Sequence, residues 1–81
     1  MNIQLILIKD YKEFTEDVTL EEVGTIEGAI VAKEVESVIQ LTNGTVFSIG
    51  FSVMRDNPIF DIENPRDLVR NFIKINLMDT E

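Results

Sequence analysis

Carboxylates are the only abundant reactive groups in this chain: fifteen Asp and Glu stand against seven Lys and Arg, with no histidine and no cysteine. The usual general base near neutral pH and the most reactive nucleophile are therefore both missing. Catalysis would have to rest on carboxylates, Lys, Ser, Thr or the lone Tyr11. Paired carboxylates such as Asp61 and Glu63 could in principle act as acid and base or hold a divalent cation, but their spacing is unspecific. They stand beside a turn and a helix start, where acids are ordinary, and no calcium-loop pattern surrounds them. Gly24 and Gly28 form no phosphate-cradling motif, since no Lys-Ser or Lys-Thr pair follows them. The expectation is a protein that is not an enzyme and has neither cofactor nor metal site.

What remains is recognition by charge. The net charge is −8 and is concentrated: Asp10, Glu13, Glu16, Asp17, Glu21, Glu22, Glu27, Glu34 and Glu36 face only Lys12 and Lys33 over that third of the chain. A strand advances ~3.3 Å per residue, so Glu34 and Glu36 on one strand face hold carboxylates roughly 6 to 7 Å apart, comparable with the phosphates of a nucleic-acid strand. With Glu13, Glu16, Asp17, Glu21, Glu22 and Glu27 they are the candidate partner-binding residues, a surface able to imitate a phosphate backbone in the basic groove of a nucleic-acid enzyme. The competing reading is that the acidity only keeps a small protein soluble. Nucleic acid itself and anionic membranes repel such a chain, so neither is expected as a direct ligand.

A second set of residues could form an interface. Arg66, Arg70 and Lys74 recur at a spacing of four, a basic stripe on one helix face in an otherwise acidic protein. They could pair with acids of the same chain, stand in solvent, or meet the acidic patch of a second copy across a two-fold axis, giving a homodimer. Ile59 and Phe60, in a Pro-bounded connection, are the apolar pair expected to stay exposed for an interface.

The elements that position these groups follow from periodicity. In Ile3 to Ile8 both faces are largely apolar, which predicts a central or doubly covered strand. Residues 11 to 23 show no sustained period and are expected to be an acidic loop, with one helical turn around Leu20 to Val23. From Thr25 to Leu41 helix formers and β-branched residues are mixed. Thr42-Asn43-Gly44, between two β-branched runs, is a hairpin signal that favours strand, with a helix over 27 to 41 as the competing reading. A three-residue loop with Gly44 left-handed pairs Leu41 with Thr45, Ile39 with Phe47, Ser37 with Ile49 and Val35 with Phe51. That register gathers Val35, Ile39, Leu41, Phe47, Ile49, Phe51 and Val53 on one face. Glu34, Glu36, Val38, Gln40, Val46, Ser48 and Ser52 fall on the other.

A turn-rich connection follows Met54, and then a helix from Pro65 to about Leu77. Asn64 is its expected N-cap, Pro65 suits the first turn and Asp67 meets the positive end of the dipole. Leu68, Val69, Phe72, Ile73 and Leu77 make its apolar stripe. The predicted fold is α+β: one small domain over residues 1–81, an antiparallel sheet of about three to four strands and a C-terminal helix packed on one face.

With 44% hydrophobic residues the chain has the composition of a folded domain and not of an acidic tail. The apolar start lacks a basic n-region and breaks at Lys9-Asp10, so it reads as a strand and not as a leader or membrane span. The absence of cysteine fits a reducing, cytoplasmic setting. No family motif can be matched residue by residue. In general character the chain looks like the short acidic proteins with which phages and other mobile elements inhibit host defence or DNA-handling enzymes, such as anti-CRISPR proteins and DNA mimics. That likeness implies a non-enzymatic inhibitor whose partner is a basic, nucleic-acid-binding surface. The alternative from a different class is a small structural or accessory subunit that assembles with itself or with a larger complex.

Overall fold

A computed structural model describes residues 2–77. The chain forms β1 (Ile3–Leu20), β2 (Gly24–Leu41), β3 (Val46–Met54) and α1 (Pro65–Asn76). The strands build one antiparallel sheet in the order β1-β2-β3. The helix packs on one face, so the α+β architecture expected from the sequence is the one observed. Among the described residues no helix is long and apolar enough to cross a membrane.

The β2–β3 hairpin has the predicted register. Leu41 N donates to Thr45 O at 2.8 Å and Gly44 N to Leu41 O at 3.0 Å, closing the Thr-Asn-Gly loop. Gly44 sits at φ 91°, a conformation that costs a residue with Cβ steric strain. Ile39 is opposite Phe47, Ser37 opposite Ile49 and Val35 opposite Phe51, without a bulge anywhere in the ladder. The helical alternative for 27 to 41 is thereby excluded. In a helix the β-branched residues would be spread around the axis, whereas here every second side chain from Lys33 to Leu41 enters the core.

The helix begins as its sequence dictates. Asn64 Oδ1 accepts from Arg66 N at 2.9 Å and from Asp67 N at 3.4 Å, satisfying two amides that have no intrahelical partner. Leu68, Val69 and Ile73 are buried completely against Ile6, Val35, Ile39, Leu41 and Val53 of the sheet. The Phe72 ring stacks on Phe51, with centroids 3.9 Å apart and planes 7° from parallel.

Three sequence-based expectations are corrected. The first strand is neither central nor doubly covered: β2 is the middle strand and β1 lies at an edge. An extra residue at Gln4 sets Ile6 and Ile8 toward the helix, leaving Leu5 and Leu7 52% and 53% exposed on the open face. Residues 11 to 20 are not a loop but the second half of β1, paired with β2 as far as Leu20 opposite Gly24. The misreading arises because this half of β1 is almost wholly exposed, so no core imposes an apolar alternation on it. Ladder irregularities lie between Phe14 and Thr15 and between Glu16 and Val18; their extra residues, Val31 and one of the pair Glu27 and Gly28, are on β2, where each resets which side of the ribbon the next residue faces. At the second, Asp17 Oδ1 accepts from Gly28 N at 3.0 Å, with Gly28 at φ 66°.

The third correction concerns Ile59 and Phe60, which are 5% and 8% exposed and belong to the core. Asn57 folds the connection inward: its Oδ1 accepts from Ile59 N at 3.0 Å, and its carbonyl accepts from Phe60 N at 2.9 Å. Lys33, itself only 5% exposed, holds the same segment by donating to the carbonyls of Phe60 and Ile62.

Candidate functional site

β3 covers β2 only as far as Ala32, opposite Met54. Beyond that point β1 and β2 continue alone as a two-stranded arm, which accounts for a molecule 52 Å long and only 26 Å and 15 Å in its other dimensions. The arm spans residues 15 to 31, and its acids Glu16, Asp17, Glu21, Glu22 and Glu27 are accompanied by no basic residue. All five are exposed, and none of them forms an ion pair among the described residues. An isolated ribbon is marginally stable in water. Here it is pinned by the Asp17 to Gly28 bond and by the hydroxyls of Thr19 and Thr25, 3.2 Å apart.

The arm also carries apolar groups that the core does not absorb. Leu20 is 42%, Val23 73% and Ile26 41% exposed, all at or near its tip. Phe14 stands at the base of the arm and is 46% exposed. These residues were missed as functional candidates. Their signal in the sequence is apolar side chains scattered among carboxylates without a period that would bury them.

The eight candidate carboxylates do not form one surface. Glu16, Asp17, Glu21, Glu22 and Glu27 belong to the arm. Glu34 and Glu36 lie on the open sheet face, as expected, where Glu36 is opposite Asp10 and Glu34 opposite Lys12. With Gly50 and Ser52 they line a shallow depression. Glu13 is on the other face, opposite the buried Lys33, and accepts a hydrogen bond from Tyr11 Oη at 2.8 Å. That bond, together with desolvation as the larger cause, pushes the Tyr11 phenol up to about 12.

Among the described residues no group of three or more His, Cys, Asp or Glu is placed to hold a metal ion. Asp61 and Glu63 are both exposed. Arg66, Arg70 and Lys74 project into solvent from α1 and make no ion pair among the described residues, where the one salt bridge is Lys12 to Asp10 at 3.7 Å. The chain matches no protein-family model, no curated protein and no solved structure.

Proposed function

We propose that this chain is a non-enzymatic, cytoplasmic binding protein that inserts its acidic β-arm into a basic groove of a nucleic-acid-handling enzyme and inhibits it by occupying the phosphate path, as phage and mobile-element inhibitors do. The observation that carries this reading is the placement of Glu16, Asp17, Glu21, Glu22 and Glu27 on a projecting ribbon without a counter-charge. Carboxylates held only for solubility have no need of an arm. A ribbon is narrow enough to enter a groove, and alternate residues point to its two sides, so both walls can be met at once. Exposed Leu20, Val23 and Ile26 add an apolar anchor at the tip, where burial of each side chain is worth about 1.5 to 3 kcal/mol. Charge then governs approach and the apolar tip governs residence.

The test is capture on the immobilised protein from lysate of a plausible host, with elution by a salt gradient and by duplex DNA. The expected result is one nucleic-acid enzyme released at moderate salt, displaced by DNA and inhibited by the soluble protein. It should be lost when Glu16, Asp17, Glu21, Glu22 and Glu27 are replaced by their amides. A partner that the amide variant retains equally well overturns the reading.

A further inference from the structure

The two edges of the sheet are unlike. β1 is interrupted at four places in its ladder and carries Lys9, Asp10, Lys12 and Glu13 along its length. Bulges and charges of this kind blunt an edge against further pairing. β3 has neither: Val46–Met54 contains no charged residue and no proline, and its ladder with β2 runs without irregularity. An exposed edge that is long, flat and uncharged is a template for another strand.

The backbone shows which groups are on offer. Leu41 N donates to Thr45 O, and Ser37 Oγ reaches Ile49 O, so odd-numbered residues of β3 turn their amides and carbonyls toward β2. In an antiparallel strand the even-numbered ones then point outward. Val46, Ser48, Gly50 and Ser52 therefore present both N–H and C=O to the open edge, and Met54 presents its N–H, its carbonyl accepting from Asn57 N at 3.0 Å. Their side chains lie on the open sheet face, and the central three are small or absent, so nothing obstructs an approaching strand.

On the helix side the same edge is apolar and incompletely covered. α1 lies over β1 and β2 and reaches β3 through Phe72 on Phe51. Phe47, Ile49 and Phe51 are left half-buried, and Ile75, three residues beyond Phe72 on the same helical flank, is 56% exposed.

We propose that β3 pairs with β3 of a second copy, antiparallel about a two-fold axis at Gly50, to give a homodimer with one continuous six-stranded sheet. Centring on Gly50 brings the whole strand into register: Gly50 faces Gly50 of the partner subunit, Ser48 faces the partner's Ser52, and Val46 faces the partner's Met54. The Gly50 pair and the two Ser48–Ser52 pairs exchange two hydrogen bonds each, and the two Val46–Met54 pairs, whose Met54 carbonyl is already engaged, one each, about eight in all. Phe51 comes against the partner's Ile49, continuing the strip that Phe72 begins.

The self-complementary register about Gly50 points to a second copy as the occupant, and charge does not oppose it along this strand. Molecules of net charge −8 repel, and β3 is the strand along which they can meet without juxtaposing carboxylates. The arm leaves the sheet beyond the Met54 end, so antiparallel pairing sends the two arms in opposite directions. They are separated by at least the ~30 Å of a nine-residue strand, several times the Debye length of about 8 to 10 Å. The buried area is on the order of 1,000 Å², the lower bound of specific interfaces, so the dimer dissociates on dilution. It does not depend on what the arm binds.

Sedimentation equilibrium over a range of concentrations tests this. The expected result is a mass approaching twice the 9.2 kDa of the chain, with dimerisation strengthened by added salt, the opposite of arm binding. Ser52→Pro removes an outward N–H and leaves the β2 ladder intact, and should raise the dimer dissociation constant at least about tenfold. Ser48→Lys with Ser52→Lys, which brings lysines opposite one another across the axis, should do the same without a backbone change. A monomer at every concentration, or a dimer that both variants leave intact, overturns the proposal.

Discussion

The Lys33 ammonium lies 4.9 Å from the centroid of the Phe60 ring while donating to the Phe60 backbone carbonyl, so one buried cation holds both the ring and the main chain of the connection between β3 and α1. It donates to Ile62 O as well, at 3.1 Å. Hydrogen bonds to charged groups contribute about 1.5 to 3 kcal/mol, and a carbonyl stranded without its donor costs a similar amount. Lys33→Ala is expected to lower stability by about 2 to 4 kcal/mol in urea unfolding, with Lys33→Met, which keeps the stem, losing less. Equal effects of the two would mean that the stem contributes nothing and the ammonium decides the outcome, whereas a Lys33→Met variant as stable as the wild type would mean that packing of the stem decides it.

Tyr11 supplies a pH prediction. Its phenol is raised from 10.0 to about 12, first by desolvation and then by the hydrogen bond and charge of Glu13. The folded state therefore keeps a proton that the unfolded chain releases. Stability is fully present below pH 10 and is lost as pH rises from there toward 12. With one tyrosine and no tryptophan in the chain, phenolate absorbance reports this group alone. Glu13→Gln should move its titration down toward 10.0, and Tyr11→Phe should remove this contribution to alkaline destabilisation.

Neutralising the arm should not harm the fold. Glu16, Asp17, Glu21, Glu22 and Glu27 make no ion pair among the described residues, so their amides relieve repulsion and leave the melting temperature unchanged or higher. Asp17→Asn keeps an oxygen for Gly28 N. Added salt should raise the wild-type melting temperature more than that of the amide variant. A variant that unfolds would show that these carboxylates are structural.

Two local determinants can be checked by thermal melts. Asn64→Ala removes the cap from Arg66 N and Asp67 N and should cost about 1 kcal/mol. Gly44→Ala, at φ 91°, should cost on the order of 1 kcal/mol through backbone strain. Asn43 tolerates less change than its exposure suggests, because its Oδ1 accepts from Thr45 N at 2.9 Å; Asn43→Ala should lower the melting temperature also.

Some of the fold was legible because it depends on neighbours in the chain. The Thr42-Asn43-Gly44 loop admits one register that keeps the apolar set together, and Asn64-Pro65 with Asp67 marks a helix start by its own hydrogen-bonding needs. The arm was not legible. On β2 its alternation is interrupted by bulges at Val31 and at Glu27 and Gly28, each reversing the side to which later residues point, and on β1 no core imposes an alternation. The candidate carboxylates were found, but not their division, because Glu13 and Glu34 belong to opposite faces only once β1 and β2 are paired.

The sequence by itself determined that this chain carries a concentrated negative charge without imidazole or thiol, that it has the composition of a folded domain and that its end is an amphipathic helix, and it favoured a hairpin in the middle over a helix. These follow from composition and from short-range periodicity. Only the tertiary structure decided that β1 lies at an edge, that Ile59 and Phe60 are buried, that the acids project on an arm and that β3 is left open. Those depend on how far one strand outruns another and on where a single helix can lie. A helix covers about two strands of a three-stranded sheet, since its diameter is about 10 Å and strands are about 4.8 Å apart, and no local pattern states which two.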